Sequence, residues 1–110
     1  MYNLIVLGTR PSAWTHEQFI NWWRGEHAEP TYKLPGLLRW QHTDLQETFD
    51  DKSAGWDGLS VLSFESPEAL KAALASPEWK AAVANVGDMG GRRMIWYGEE
   101  KTMVPLVSTS

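Results

Sequence analysis

Three helix-start signatures, each set between apolar, β-prone runs, constrain this chain more tightly than any other feature. Thr15 with Gln18 three residues later forms a capping box, in which each residue's side chain accepts the other's backbone N–H. Ser66-Pro67-Glu68 and Ser76-Pro77-Glu78 each place a hydroxyl at an N-cap, Pro at the first helical position and an acid at the positive end of the helix dipole. Residues 2–9 read as a strand that stops before the Arg10-Pro11-Ser12 break. After the Leu34-Pro35-Gly36 turn, residues 37–47 read as a long second strand, 58–65 as a third and 92–101 as a fourth. The order β-α-β-β-α-β is the split βαβ pattern, which predicts an α+β, ferredoxin-like domain: a four-stranded antiparallel sheet with helices on one face.

Periodicity fills in the helices. Phe19, Trp22, Trp23, Glu26 and His27 recur at the spacing of one helix face, and Pro30 disfavours helical geometry at Glu29, so the first helix is expected to end near Ala28. Leu70, Ala73 and Leu74 make the buried stripe after Ser66, and Trp79, Ala82, Val83 and Val86 the stripe after Ser76, which Gly87 ends. The strands carry apolar residues on both faces, whereas a sheet covered on one side alternates more cleanly. A second copy of the chain is the expected cover for the other face, so the protein is expected to be a homodimer. Residues 1–102 form the single domain, and 103–110, with Val104-Pro105-Leu106-Val107, a tail expected to pack on the partner subunit.

Composition narrows the chemistry. The 110 residues suit one domain, and the absence of Cys removes disulfides, thiolate metal sites and a cysteine nucleophile. Net charge is −4 with scattered basic residues, which argues against nucleic acid as a partner. The start of the chain lacks a signal-peptide pattern and no apolar run is long enough to span a bilayer, so a cytoplasmic location without membrane association is expected. The three His lack metal-ligand spacing and no phosphate-binding glycine motif is present, so neither a metal nor any other cofactor is expected. Seven Trp in 110 residues is unusual enrichment, suited equally to a core, an interface or an aromatic-walled pocket.

His27 closes the apolar stripe and so points inward beside Trp23, either as a structural histidine bonded to a backbone carbonyl or as an acid/base group titrating near neutrality. His42 shares a strand face with Trp40 and Asp44, where it lines the pocket or meets the partner subunit. His16 falls in the first turn of the capped helix, off the stripe, and is expected in solvent. Trp96 and Tyr97 alternate on the fourth strand, so one faces the helices and the other the opposite side of the sheet. Tyr32 and Trp56 are further aromatic candidates, Glu26 a second acid/base candidate, and Arg10 and Arg39 either carboxylate binders or exposed ion-pair partners.

The run from Phe19 and Trp22-Trp23 through His27-Ala28 to Leu34-Pro35-Gly36-Leu37, with the later Ala-Leu-Ala-Ser-Pro-Glu segment and Asp88, resembles the EthD family over about residues 3–100. That resemblance implies two ferredoxin-like subunits whose sheets close into a dimeric α+β barrel, with a pocket between each sheet and its helices. It further implies an acid/base role for His27, while Trp23, Tyr32, Trp40, His42, Trp96 and Tyr97 are the substrate-binding candidates that the residues' own positions offer. The scaffold itself does not select a reaction, and with His27 as acid/base the expected function is a cofactor-independent enzyme of isomerase, cyclase or dehydratase type, acting on a small cyclic, lactone or aromatic compound. The same scaffold also carries cofactor-free oxygenases of phenolic substrates, and a non-catalytic small-molecule binding or accessory protein is the third expectation.

Overall fold

The computed structural model describes residues 1–107 and bears out the helix starts atom by atom. Thr15 Oγ1 accepts the Gln18 N–H at 3.1 Å, and Gln18 Oε1 accepts the Thr15 N–H at 2.8 Å, a closed capping box. Strand β1 (Tyr2–Gly8) precedes helix α1 (His16–Arg24) and the one-turn helix α2 (Ala28–Tyr32). Then come β2 (Arg39–Asp44), a 3₁₀ turn at Asp51–Ser53, β3 (Gly58–Phe64), α3 (Pro67–Leu74), α4 (Pro77–Val86) and β4 (Arg93–Glu99). Ser66 and Ser76 cap α3 and α4 by accepting the backbone N–H groups of Ala69 and Trp79. Gly87 closes α4 at φ 53°, a left-handed value that a side chain would resist.

Two boundaries differ from the sequence expectation. Helix α1 stops at Arg24 and not near Ala28, because the N–H groups of Gly25 and His27 both turn back to the Trp22 carbonyl. The chain then re-enters a helix with Pro30 in its first turn, where the missing N–H removes no intrahelical bond. Strand β2 is shorter than residues 37–47: beyond its ladder only single bonds continue, from the Leu38 N–H to Ser63 O and from the Leu45 N–H to Asp57 O.

The four strands are ordered β2-β3-β1-β4 and all pair antiparallel, the ferredoxin-like arrangement. Strand alternation puts Leu4, Val6, Trp40, Ser60, Leu62, Phe64, Ile95 and Tyr97 toward the helices. Leu4, Leu34, Leu62, Phe64, Leu70 and Ala73 form the buried core beneath α3. Burying a side chain such as Leu4 or Phe64 is worth about 1.5–3 kcal/mol each. At the other end of the sheet Gly8 and Gly58 are registered partners, and the Trp23 ring lies against both. A side chain at either glycine would occupy the place of that ring.

The opposite sheet face is the unusual one. It carries Ile5, Leu7, Leu59, Val61, Met94 and Trp96, with Trp96 45% exposed, and none of the described helices covers it. Beside this apolar stretch Asn3 and Arg39 both bond Glu100, yet Asn3 Oδ1 and Arg39 Nε are buried without a hydrogen-bond partner among the described residues. Residues 103–107 of the tail are exposed, and the expected packing of 108–110 lies outside the described residues. Among the described residues no helix is long and apolar enough to cross a membrane.

Candidate functional site

A cavity of about 270 Å³ lies between the sheet and the helices α1, α2 and α4. Val6, Ser60, Leu62 and Ile95 form its floor on the sheet, with Trp22, Trp23 and His27 on one wall and Trp79, Val83 and Val86 on another. Trp40 also borders the cavity, and its indole N–H donates to Ser60 Oγ at 2.6 Å, so the partly buried ring has its one polar atom satisfied. Val83 and Ile95 border the cavity and are half exposed, so it opens between α4 and the edge strand β4.

His27 is the titratable histidine of this cavity. The break at Gly25 takes it off the helix face, and it caps α2 in a turn instead. Its ring stacks on Trp22, with centroids 4.3 Å apart and an interplanar angle of 9°. His27 Nδ1 lies 2.9 Å from Asn85 Oδ1, while Asn85 Nδ2 donates to Glu26 Oε1 at 3.3 Å. That second bond orients the amide, so Asn85 presents an acceptor to Nδ1, and Nδ1 must carry the proton. Nε2 is left with its lone pair, and no protein group bonds it among the described residues. Burial pushes the His27 pKa below the ordinary value of 6.5 against the opposing Asn85 bond, and Arg93 pushes the same way as burial, so the ring is neutral at pH 7.

Arg93 projects from β4 into the same cavity. It is half-buried, burial lowers its pKa, and among the described residues its guanidinium makes one hydrogen bond, to Met89 Sδ at 3.3 Å. Among the described residues no carboxylate pairs with it.

The remaining sequence candidates separate. Trp23 and Trp40 border the cavity with His27. His42 does not; it stands edge-on behind Trp23, with centroids 4.5 Å apart, and Arg24 Nε–H donates to its Nδ1 at 2.9 Å. Its proton therefore sits on Nε2, which is buried without a hydrogen-bond partner among the described residues. Burial, reinforced by Arg24, pulls the His42 pKa down to about 4, leaving a neutral ring that props Trp23. Tyr32 is 60% exposed and meets the edge of Trp40 from outside the cavity. Tyr97 faces the helix side but is 59% exposed, and Trp96 lies on the opposite sheet face. Arg10 pairs with Asp57, Arg39 with Glu100, and Arg92 lies over the ring of Trp56 at 5.1 Å.

His16 corrects the sequence reading. It is not free in solvent: Nδ1 lies 2.7 Å from Asp57 Oδ1 and Nε2 2.6 Å from Asp44 Oδ1, so one imidazolium ties α1 to the ends of β2 and β3. Those two bonds raise its pKa above 6.5, and the bond to His16 holds the Asp44 carboxyl below its ordinary value. Neither carboxylate was visible as its partner, because both are supplied from distant strand ends. Among the described residues no group of three His, Asp or Glu is placed to hold a metal ion.

Sequence reasoning also missed Asn85, Arg93 and the cavity face of Trp22. Asn85 carries a faint signal, since Asn is a poor helix former standing inside an apolar helical run. Arg93 shares its strand face with Ile95, where alternation predicts an apolar residue.

The chain closely matches solved structures in shape. An EthD family protein from Bacillus halodurans superposes with a TM-score of 0.78 at 23% identity, covering 92% of this chain and 99% of that one. A dimeric ferredoxin-like protein from Thermobifida fusca gives 0.67 at 15% identity, covering 88% of each chain. SnoaB from Streptomyces nogalater, described as a cofactor-independent oxygenase, gives 0.67 at 14% identity, covering 96% and 97%. At these identities the likeness establishes the fold alone. A comparison with curated proteins gives no match. In sequence, residues 11–88 match the EthD domain, which spans α1 through the end of α4 and so includes His27, Asn85 and most of the cavity wall; the chain belongs to the EthD family.

Proposed function

We propose that the protein is a cofactor-independent enzyme of isomerase, cyclase or dehydratase type that uses His27 as a general base on a small, flat cyclic, lactone or aromatic compound. One observation carries the reading. A neutral imidazole is held at the wall of an apolar cavity, with Nδ1 committed to Asn85 and Nε2 unbonded. His27 Nε2 takes a proton from an acidic C–H or O–H of the substrate, and the Asn85–Glu26 relay holds the ring as the imidazolium forms. The proton then returns to another carbon for an isomerisation, or to a departing hydroxyl for a dehydration. Trp22, Trp23, Trp40 and Trp79 supply flat walls that align a ring and exclude water.

A second reading shares the first step. It is a cofactor-free oxygenase acting on a phenolic substrate whose carbanion reacts with O₂ itself, and one protein of like fold is described as a cofactor-independent oxygenase. Native mass spectrometry against phenols, muconolactones and quinones identifies ligands, and O₂ uptake for each separates the two chemistries. His27→Asn is expected to lower turnover by about 10²–10⁴-fold with little change in ligand affinity or Tm. A variant that loses stability but keeps its rate per folded molecule makes His27 structural, and a carrier or accessory role then replaces the enzyme.

The same reading takes the protein as a homodimer. Ile5, Leu7, Leu59, Val61, Met94 and Trp96 give the open sheet face the apolar character of an interface, and Asn3 and Arg39 leave buried polar atoms there for a partner to satisfy. The tail from residue 103 packs across that partner, burying Met103, Val104 and Leu106, which are exposed in the single chain.

A further inference from the structure

We infer that Arg93 is an anion anchor and that the cavity takes a flat, apolar ring bearing a carboxylate. The inference rests on the cavity being the ligand site of the proposed enzyme, and it adds the chemical class of the ligand.

The contrast among the five arginines points to it. Arg10 pairs with Asp57, Arg24 donates to His42, Arg39 pairs with Glu100, and Arg92 lies on Trp56. Arg39 and Arg93 are the two partly buried members of the set, and whereas Arg39 has Glu100, Arg93 meets among the described residues only a thioether sulfur, a weak acceptor. A guanidinium withdrawn from water without an anion is costly, and such a group persists where a ligand supplies the missing charge.

A purely structural role has less support. A cation near a helix C-terminus can bond the last carbonyls, and Arg93 stands close to the end of α4. Two of those carbonyls are already engaged, however, since Val83 O accepts the Gly87 N–H and Val86 O accepts the Met89 N–H, and among the described residues Arg93 donates to none of them. The guanidinium fork therefore remains available to a planar two-oxygen acceptor, the geometry it fits best.

The rest of the cavity supplies the ring's surroundings. Trp22, Trp40, Trp79 and Ile95 offer apolar faces, while Arg93 and His27 are the charged and basic groups lining it. A ligand held by its carboxylate at Arg93 would thus present its ring to the indoles and its reactive edge to His27. Carboxylate binding and proton transfer are divided between two residues.

The test uses the full chain and two probes of matched shape, 2-naphthoate and 2-naphthamide, titrated by quenching of the cavity tryptophans. The wild type is expected to bind the acid roughly 10- to 100-fold more tightly than the amide, the range for a hydrogen bond to a charged group. Arg93→Met should abolish that ratio while leaving amide affinity unchanged, and Arg93→Lys should retain part of it. Because Arg93 lacks a counter-ion among the described residues, Arg93→Met should melt no lower than the wild type, which separates lost recognition from lost folding. Equal wild-type affinities, no measurable binding of the acid, or an acid preference that survives in Arg93→Met overturns the inference. Binding is read without turnover, so His27→Asn is expected to keep the acid preference. If that variant keeps full turnover, the general-base reading fails while the anchor stands, and loss of the anchor leaves the base reading untouched.

Discussion

Replacing Gly58 with Ala tests the packing that sets the position of Trp23. A Cβ at this position would stand 2.8 Å from Trp23 Cζ3, 3.0 Å from Cε3 and 3.2 Å from His42 Nε2. Trp23 is only 6% exposed, with Phe19 at 5.5 Å and His42 at 4.5 Å between ring centroids, so it has little room to withdraw. Forcing a methyl into such a contact costs about 1–3 kcal/mol. The lower chain entropy of unfolded Ala offsets roughly 0.4–1 kcal/mol of that. A net loss of roughly 1–2 kcal/mol follows, or a fall in Tm of about 5–10 °C for a domain of this size. Urea denaturation and calorimetry read the change directly. Adding Trp23→Phe to the Gly58→Ala chain should recover part of the loss, since the smaller ring vacates the contested space. Wild-type stability in Gly58→Ala, or strictly additive losses in the double variant, would refute the packing account and with it the placement of the cavity's Trp23 wall.

Stability should depend on pH through His16. Its pKa is raised in the folded chain, so its contribution is complete below pH 6.5 and is lost as pH climbs through the raised value. The Asp44 pKa is lowered, so its share is lost only when pH falls through a value below 3.8. Urea titrations from pH 6 to 9 should therefore show the wild type losing up to about 1 kcal/mol more than His16→Gln, and parallel curves would remove His16 from the account. Trp96→Asp, placing a charge on the open sheet face, should produce monomers in sedimentation at micromolar concentration, and an intact dimer would exclude that face as the interface. Deleting residues 103–110 should raise the dimer dissociation constant, and an unchanged constant would mean that the tail does not cross the partner.

The sequence by itself determined where the three capped helices begin, in what order they and the strands follow, and hence the ferredoxin-like class. Capping and turn chemistry act across three or four neighbouring residues: Thr15 needs only Gln18, Ser66 only Ala69, Ser76 only Trp79. The aromatic and His run before Leu34-Pro35-Gly36 was similarly local and carried the family likeness. The end of α1 was less legible, because Pro30 can break a helix or sit harmlessly in the first turn of the next one. Only the tertiary structure decided which groups meet. Asn85 reaches His27 across 58 positions of chain, and Asp57 reaches His16 across 41. Arg93 became informative only once every other arginine had been seen to have a partner. Such encounters depend on how α4 and the strand ends pack together, and no local propensity encodes them: helix and strand preferences are settled within a few residues, whereas a site is assembled from side chains that the fold brings together from far apart.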